Sequence, residues 1–129
     1  MDLLATAKAL AERVEGEAAK AKVPVAVCII DIHGNTVLQH RMNGAALFAL
    51  ELSERKAYTA ALIRIPTVDL LPLVQPGQAL YALPTVGGGR FCPMGGGLPL
   101  SESGEVFAGI GVSGGTAEED VAIVEAALK

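Results

Sequence analysis

A chain of 129 residues has room for one domain, and residues 1–129 are expected to form it. The 10 Lys and Arg against 14 Asp and Glu give a net charge of −4, and aromatic residues make up only 4%. These values argue against a nucleic-acid partner, which needs a basic face and stacking rings. Charged residues at only 19% predict a homo-oligomer that hides part of its apolar surface.

Neither a targeting segment nor a membrane partner is expected. Residues 1–22 carry charges throughout, unlike the apolar core of a signal peptide. No stretch approaches the roughly 18 apolar residues of a membrane span. Cys28 and Cys92 are the only cysteines and have no CxxC spacing, which favours reduced thiols and a cytoplasmic protein.

The first half of the chain has the pattern of helices around one β-hairpin. Apolar residues at three- and four-residue steps predict a first helix capped by Asp2. A uniformly apolar run predicts a central strand that is buried on both faces. The predicted elements are a helix over 3–21, strands Val25 to Ile30 and Thr36 to Arg41, a helix over 45–63, and a short helix over 67–74 capped by Thr67.

The second half is rich in glycine, which favours turns and strands. Thr116 and Glu119 have the spacing of a capping box at the start of a last helix. The predicted elements are strands Arg90 to Met94, Leu98 to Leu100 and Val106 to Val112, and a helix over 117–128. Hairpins without βαβ alternation predict an α+β fold, an antiparallel sheet with helices packed on it.

Residues 109–114 match the G-x-G-x-x-G pattern of dinucleotide-binding turns. Such a fold needs a further parallel strand and an acidic residue about 20 positions on, and the sequence up to Lys129 offers neither. Ser113, Gly114 and Gly115 open the last helix, where free N–H groups can hold a carboxylate or phosphate. The alternative is a tight turn that needs glycine. Three acidic residues favour this alternative, because they already supply negative charge at that helix end.

Two cations stand apart from the other charged residues. Arg41 ends the second strand, and Lys56 lies in a helix rich in Ala and Leu, where an unpaired charge is costly. Together they could clamp an anionic ligand. Alternatively, Arg41 pairs with a carboxylate such as Asp31, and Lys56 extends to water.

Three consecutive glycines at 95–97 either line a flat ligand or form a β-bulge or a close contact between subunits. No metal site or catalytic set can be assembled, because the two histidines lack partners at suitable spacing. The candidate ligand-binding residues are Arg41, Lys56, Gly95, Gly96, Gly97, Ser113, Gly114 and Gly115.

Six segments stand in order along nearly the whole chain. They are Val25 to Asp31 with Gly34-Asn35, Arg41 to Ala45, Lys56 to Ala60, Gln75-Pro76-Gly77, Gly95 to Leu100, and Gly109 to Gly115 with Asp120. Together they resemble the GlcG/HbpS-like family, which includes the haem-degrading domain and the C-terminal domain of PduO-type cobalamin adenosyltransferases. The Gln-Pro-Gly and Gly-Gly-Gly-Leu-Pro runs resemble small stand-alone members encoded near cobalamin-dependent glycerol or diol dehydratases.

The resemblance implies a five-stranded antiparallel sheet with helices on both sides, in a profilin-like arrangement, and homo-oligomers from dimers to octamers. It also implies haem or a corrinoid as the ligand. In PduO-type relatives a histidine of the first helix holds the haem, and residues 3–21 contain none. Here a haem would need His40, Met42 or another donor, with its propionates on Arg41 or Lys56.

Three functions follow as hypotheses. The first is an accessory protein that binds a small anionic ligand, haem or a corrinoid, in cobalamin-dependent diol or glycerol metabolism. The second is an enzyme acting on haem or a small organic acid, with Lys56 or Cys92 as the reactive group. The third is an assembly partner, of a dehydratase or a microcompartment, that binds no small ligand.

Overall fold

The computed structural model describes residues 1–129 and has the predicted α+β fold, with helices on both faces of one antiparallel sheet. The strands are β1 (Ala26–Asp31), β2 (Thr36–Arg41), β3 (Gly97–Glu102) and β4 (Glu105–Ser113), in the order β2-β1-β4-β3. The helices are α1 (Leu3–Ala21), α2 (Ala49–Ile63), the short α3 (Thr67–Leu70) and α4 (Ala117–Ala127). Two 3-10 segments span Leu71–Val74 and Leu83–Gly89.

The sheet has four strands, so the prediction of a fifth, Arg90 to Met94, is wrong. This segment lies across α2, and its backbone binds side chains rather than a neighbouring strand. The Cys92 N–H donates to Thr59 Oγ1 at 2.8 Å, and the Met94 carbonyl accepts from Thr67 Oγ1 at 2.6 Å. Pro93 has no N–H to offer a ladder. Contact with a helix therefore explains the apolar character that suggested a strand.

The bounds predicted for the first helix and for the return strand of the hairpin are confirmed. Asp2 caps α1, because its carboxylate accepts from the Ala5 N–H at 3.1 Å. Asp31 is the last residue of β1, and its carboxylate accepts from the N–H groups of His33 and Asn35 at 2.9 and 3.0 Å. Asp31 thus closes the hairpin turn.

The second helix begins at Ala49, later than predicted, because residues 47 and 48 form a turn that the Ala49 N–H closes on the Ala46 carbonyl at 3.0 Å. Thr67 is not the cap of the short helix: Pro66 occupies that position, and the buried Thr67 hydroxyl holds residue 94 instead. No single helix is long and apolar enough to span a membrane; only α2 with Thr67–Val74, as a pair bent by 79°, meets that length and composition.

The sheet separates two apolar layers of different size. α1 and α4 cover one face, where Val14 and Val124 join the large side chains of β1 and β4. α2 covers the other face and approaches β4 closely. A Cβ on Gly111 would collide with the Ser53 carbonyl, and one on Gly109 with the Ala57 carbonyl. These two glycines of the G-x-G-x-x-G match therefore serve helix packing.

Candidate functional site

The register of the strands gathers most of the predicted ligand-binding residues at one end of the sheet. Arg41 of β2 and Ser113 of β4 both lie opposite Ala26 of β1. Gly97 of β3 lies opposite Gly111, two residues before Ser113. The fold therefore brings these residues to one end of the sheet, although most of the predicted set is buried.

Lys56 is at the centre of this cluster and is fully enclosed. Its Nζ donates to Asp120 Oδ2 at 3.0 Å and to the Val112 carbonyl at 2.9 Å, and both charged side chains are only 2% exposed. The other Asp120 oxygen accepts from the Gly115 N–H at 2.9 Å. The interpretation in which Lys56 extends to water is wrong, because its charge is balanced by a carboxylate inside the core.

The three glycines at 95–97 leave room for the protein's own helices. A Cβ on Gly96 would lie 2.9 Å from Lys56 Nζ, and one on Gly97 would lie 2.6 Å from the Lys56 carbonyl. Gly96 also has a φ of +127°, which few other residues adopt. Close contact within one chain, rather than with a second subunit, accounts for these glycines.

The start of α4 already uses the donors that an anion would need. The Gly115 N–H binds Asp120, and the Thr116 N–H donates to Glu119 Oε1 at 2.8 Å. The Glu119 N–H donates to Thr116 Oγ1 at 3.1 Å, which confirms the predicted capping box. This geometry favours the tight-turn interpretation of residues 113–115.

Arg41 is the exposed cation of the predicted set. Its Nη1 donates to the Ala45 carbonyl at 3.3 Å, and it forms no ion pair. The alternative in which Arg41 pairs with Asp31 is wrong, because Arg41 lies opposite Ala26, at the other end of β1 from Asp31. Arg41 thus keeps most of its five N–H donors free for an anion.

A second site, which the sequence did not indicate, is a cleft of about 440 Å³ between α2 and the segment 84–94. The segment is anchored on α2. Arg90 stacks on Tyr58 at 3.8 Å from the ring centre and reaches Glu54 at 3.5 Å, while Phe91 packs against Tyr58 at 5.5 Å between ring centres. Only the folded chain brings these residues together, since more than 30 positions separate them in sequence.

The cleft combines apolar walls with one arginine and one carboxylate, that of Glu51. Its walls include Leu52, Pro84, Phe91 and Pro93. Arg55 lines it as well, and its guanidinium donates to the Gly89 carbonyl at 2.9 Å and to Glu51 at 3.0 Å. Two of its five N–H donors are thus committed, and the others can bind a carboxylate or phosphate.

Two sulfur atoms also belong to this cleft, those of Cys92 and Met94. Burial raises the pKa of the Cys92 thiol, although a Met94 backbone hydrogen bond and the charges of Lys56 and Arg55 act in the opposite direction. The thiol is therefore protonated at neutral pH and is a poor nucleophile. Met94 is 42% exposed and presents a neutral thioether.

Comparison with known protein families shows which family the chain belongs to. Residues 3–129 match the model of the family described as "Haem degrading protein HbpS-like". The chain belongs to the HbpS-like family. The resemblance predicted from the six ordered segments is thereby confirmed.

Relatives of this HbpS-like chain fall into two groups by length. It is 42% identical over 125 residues to the uncharacterized 15.0 kDa protein in the dhaT-dhaS intergenic region of Citrobacter freundii, covering 97% of this chain and 88% of that protein. It is 39% identical over 127 residues to the corrinoid adenosyltransferase PduO of Salmonella typhimurium, covering 98% of this chain but only 37% of PduO. The HbpS-like chain thus spans about a third of that longer relative.

Among solved structures, the HbpS-like chain is similar to the crystal structure of a PduOC:heme complex. The TM-score is 0.91 and the identity 37%, with 94% of this chain and 88% of that chain covered.

Proposed function

We propose that this HbpS-like chain is an accessory protein that binds a tetrapyrrole, haem or a corrinoid, and serves cobalamin-dependent diol or glycerol metabolism. The observation that carries the proposal is Arg55, a cation with uncommitted donors in a partly apolar cleft that its partner Glu51 also lines. A volume of about 440 Å³ lies within the usual range of ligand pockets. The similarity to a PduOC:heme complex and to PduO supports the ligand class.

The residues of the cleft fit a haem in three respects. Phe91 and the neighbouring prolines offer apolar contact to a flat macrocycle. Arg55 would hold a propionate. Met94 would supply a thioether to the iron, a ligand type found in haem proteins.

The other donors considered for iron do not line the cleft. His40 Nδ1 lies 3.0 Å from Glu15 Oε2, which leaves Nε2 free, but this histidine is outside the cleft. The Met42 sulfur accepts from the Val25 N–H at 3.5 Å, and that side chain is half-buried. α1 contributes no histidine. Met94 is therefore the donor that we propose.

We propose two roles for the eight predicted site residues. Exposed Arg41 is proposed as a second contact for an anionic group of the ligand. The less exposed members of the set are proposed to hold the end of the sheet on which α2 and the cleft rest; they are the buried Lys56, Gly95, Gly96, Gly97 and Ser113 and the half-buried Gly114. Gly115 is proposed to belong to this frame through its bond to Asp120.

We also propose a cytoplasmic homo-oligomer formed from single-domain chains, in the range from dimer to octamer. Large apolar side chains support this, since Leu47 is 78% and Phe48 61% exposed. Both cysteines are free, as in a reducing compartment. Light scattering of the purified protein tests the oligomer, and a monomeric mass would contradict it.

A thermal-shift panel tests the proposed function. Haem, cobalamin and a small organic acid such as citrate are each added in excess, and the melting temperature is compared with that of the free protein. A ligand at 100 times its Kd stabilises the folded state by about 2.7 kcal/mol. We expect haem or cobalamin to raise the melting temperature by several degrees. Failure of both tetrapyrroles to do so would contradict the proposal.

A further inference from the structure

A second concave surface is a groove between α4 and the chain around α3, with Gly95 among its lining residues. The groove has a volume of about 330 Å³ and is mostly apolar. Val68 and Leu71 form one wall, and Val121 and Ala122 form the other. None of these residues lines the cleft beside α2. The groove is thus separate from the proposed tetrapyrrole site.

Gly95 forms the floor of this groove and keeps it deep. A Cβ at this position would lie 2.6 Å from a Val121 methyl carbon and 3.4 Å from Val68. Any larger residue would therefore push the two walls apart or fill the space between them. The walls themselves stay open to solvent, since Val68 is 40% and Leu71 46% exposed.

Two carboxylates border the apolar walls. Glu118 and Glu125 both line the groove from α4, and neither forms a salt bridge. They are seven residues apart, two turns of one helix face, or about 10.5 Å along the axis. No Lys or Arg lines the groove. Its surface is therefore an apolar strip with a negative charge towards each end.

We propose that this α3–α4 groove docks a basic amphipathic helix of a partner protein. The aliphatic side of such a helix would enter between Val68, Leu71 and Val121. Lysines or arginines two turns apart on the partner would reach Glu118 and Glu125. The spacing of the two carboxylates along α4 favours an elongated partner over a compact small molecule, and their sign selects a basic one.

Fluorescence anisotropy with a designed peptide tests the proposal. The probe is a fluorescein-labelled helix of leucine, alanine and lysine whose leucines repeat every three or four positions. A scrambled peptide of the same composition controls for attraction to the net negative protein. The protein variants are Glu118→Gln/Glu125→Gln and Leu71→Ser. The first matched control is Glu102→Gln/Glu105→Gln, which makes the same charge change beside the β3–β4 turn. The second is Leu73→Ser, a similarly exposed apolar residue outside the groove.

We expect the amphipathic peptide to bind the wild-type protein at least tenfold more tightly than the scrambled one. Each groove variant should weaken binding about tenfold, and each control variant less than twofold. Circular dichroism melts confirm that the variants fold. Equal binding of both peptides would overturn the proposal, as would equal losses in groove and control variants. Light scattering that shows an oligomer dissociated by Leu71→Ser would also overturn it, since a second copy would then occupy the groove.

Discussion

Lys56 Nζ and Asp120 Oδ2 lie 3.0 Å apart inside the protein and join the middle of α2 to the first turn of α4. The same two side chains bind the Val112 carbonyl and the Gly115 N–H. One ion pair thereby fixes the end of β4, the turn after it and both flanking helices. A buried pair of this kind sets geometry more than it adds stability, because desolvation offsets much of its attraction.

Removing either partner of this pair should strongly destabilise the fold. Lys56→Met leaves the Asp120 carboxylate buried without its cation, and breaking a buried pair typically costs about 3–5 kcal/mol. Urea unfolding of Lys56→Met, Asp120→Asn and the double variant measures the effect. We expect the double variant to lose clearly less than the sum of the two single losses. Additive losses would mean that the two residues do not interact.

Two glycine-to-alanine changes should shift the free energy of unfolding in opposite directions, because only one of the glycines lies where α2 approaches β4. Gly111→Ala places a methyl group against the Ser53 carbonyl, and overpacking of this kind typically costs about 1–3 kcal/mol. Gly16→Ala lies in α1 with nothing within 4 Å of the new methyl group, so it should stabilise by about 0.5–1 kcal/mol. Chemical denaturation measures both. Equal stability of the two variants would contradict the tight packing described here.

Elements with strong local signals were predictable from the sequence. α1 has both an N-cap and a continuous apolar stripe, and the predicted bounds agree with those observed. The segment Arg90 to Met94 was mistaken for a strand because its backbone partners are the hydroxyls of Thr59 and Thr67. Nothing local in a sequence shows that a threonine side chain will replace a neighbouring strand.

The candidate site was also predictable only in part. The glycine-rich segments and Lys56 were recognised, and the fold does bring them to one end of the sheet. The partner of Lys56 was missed because Asp120 lies 64 positions away and also suits a helix N-terminus. The cleft around Arg55 was missed because no sequence spacing shows that residues 84–94 lie against α2; only the folded chain brings them together.

The protonated state of Cys92 predicts slow alkylation. Burial raises the pKa of this thiol, so little thiolate forms at neutral pH. We expect iodoacetamide to label Cys92 more slowly than free cysteine, and the urea-denatured protein at the ordinary rate. Mass spectrometry of the labelled peptide gives the rate. Labelling faster than that of free cysteine would instead favour an enzyme with Cys92 as nucleophile.

Cys28 predicts a loss of stability at alkaline pH. Burial, with a smaller contribution from Glu54, raises the pKa of Cys28 from 9.0 to about 12. Because the folded pKa exceeds the unfolded one, the stabilising contribution is complete below pH 9 and is lost as pH rises towards 12. The free energy of unfolding should therefore fall more steeply above pH 9 for the wild type than for Cys28→Ala. Parallel curves for the two proteins would contradict the assignment.

An absorbance titration with haem, in the presence of excess albumin as a competitor, tests the tetrapyrrole site most directly. Wild type, Arg55→Gln and Arg41→Gln are compared under the same conditions. We expect a saturable Soret shift at one haem per subunit and about tenfold weaker binding in Arg55→Gln. The loss in Arg41→Gln should be smaller, because Arg41 does not line the cleft. Bound haem should also slow the labelling of Cys92. An unsaturable shift, or one that albumin abolishes and neither variant changes, would contradict the proposed haem site.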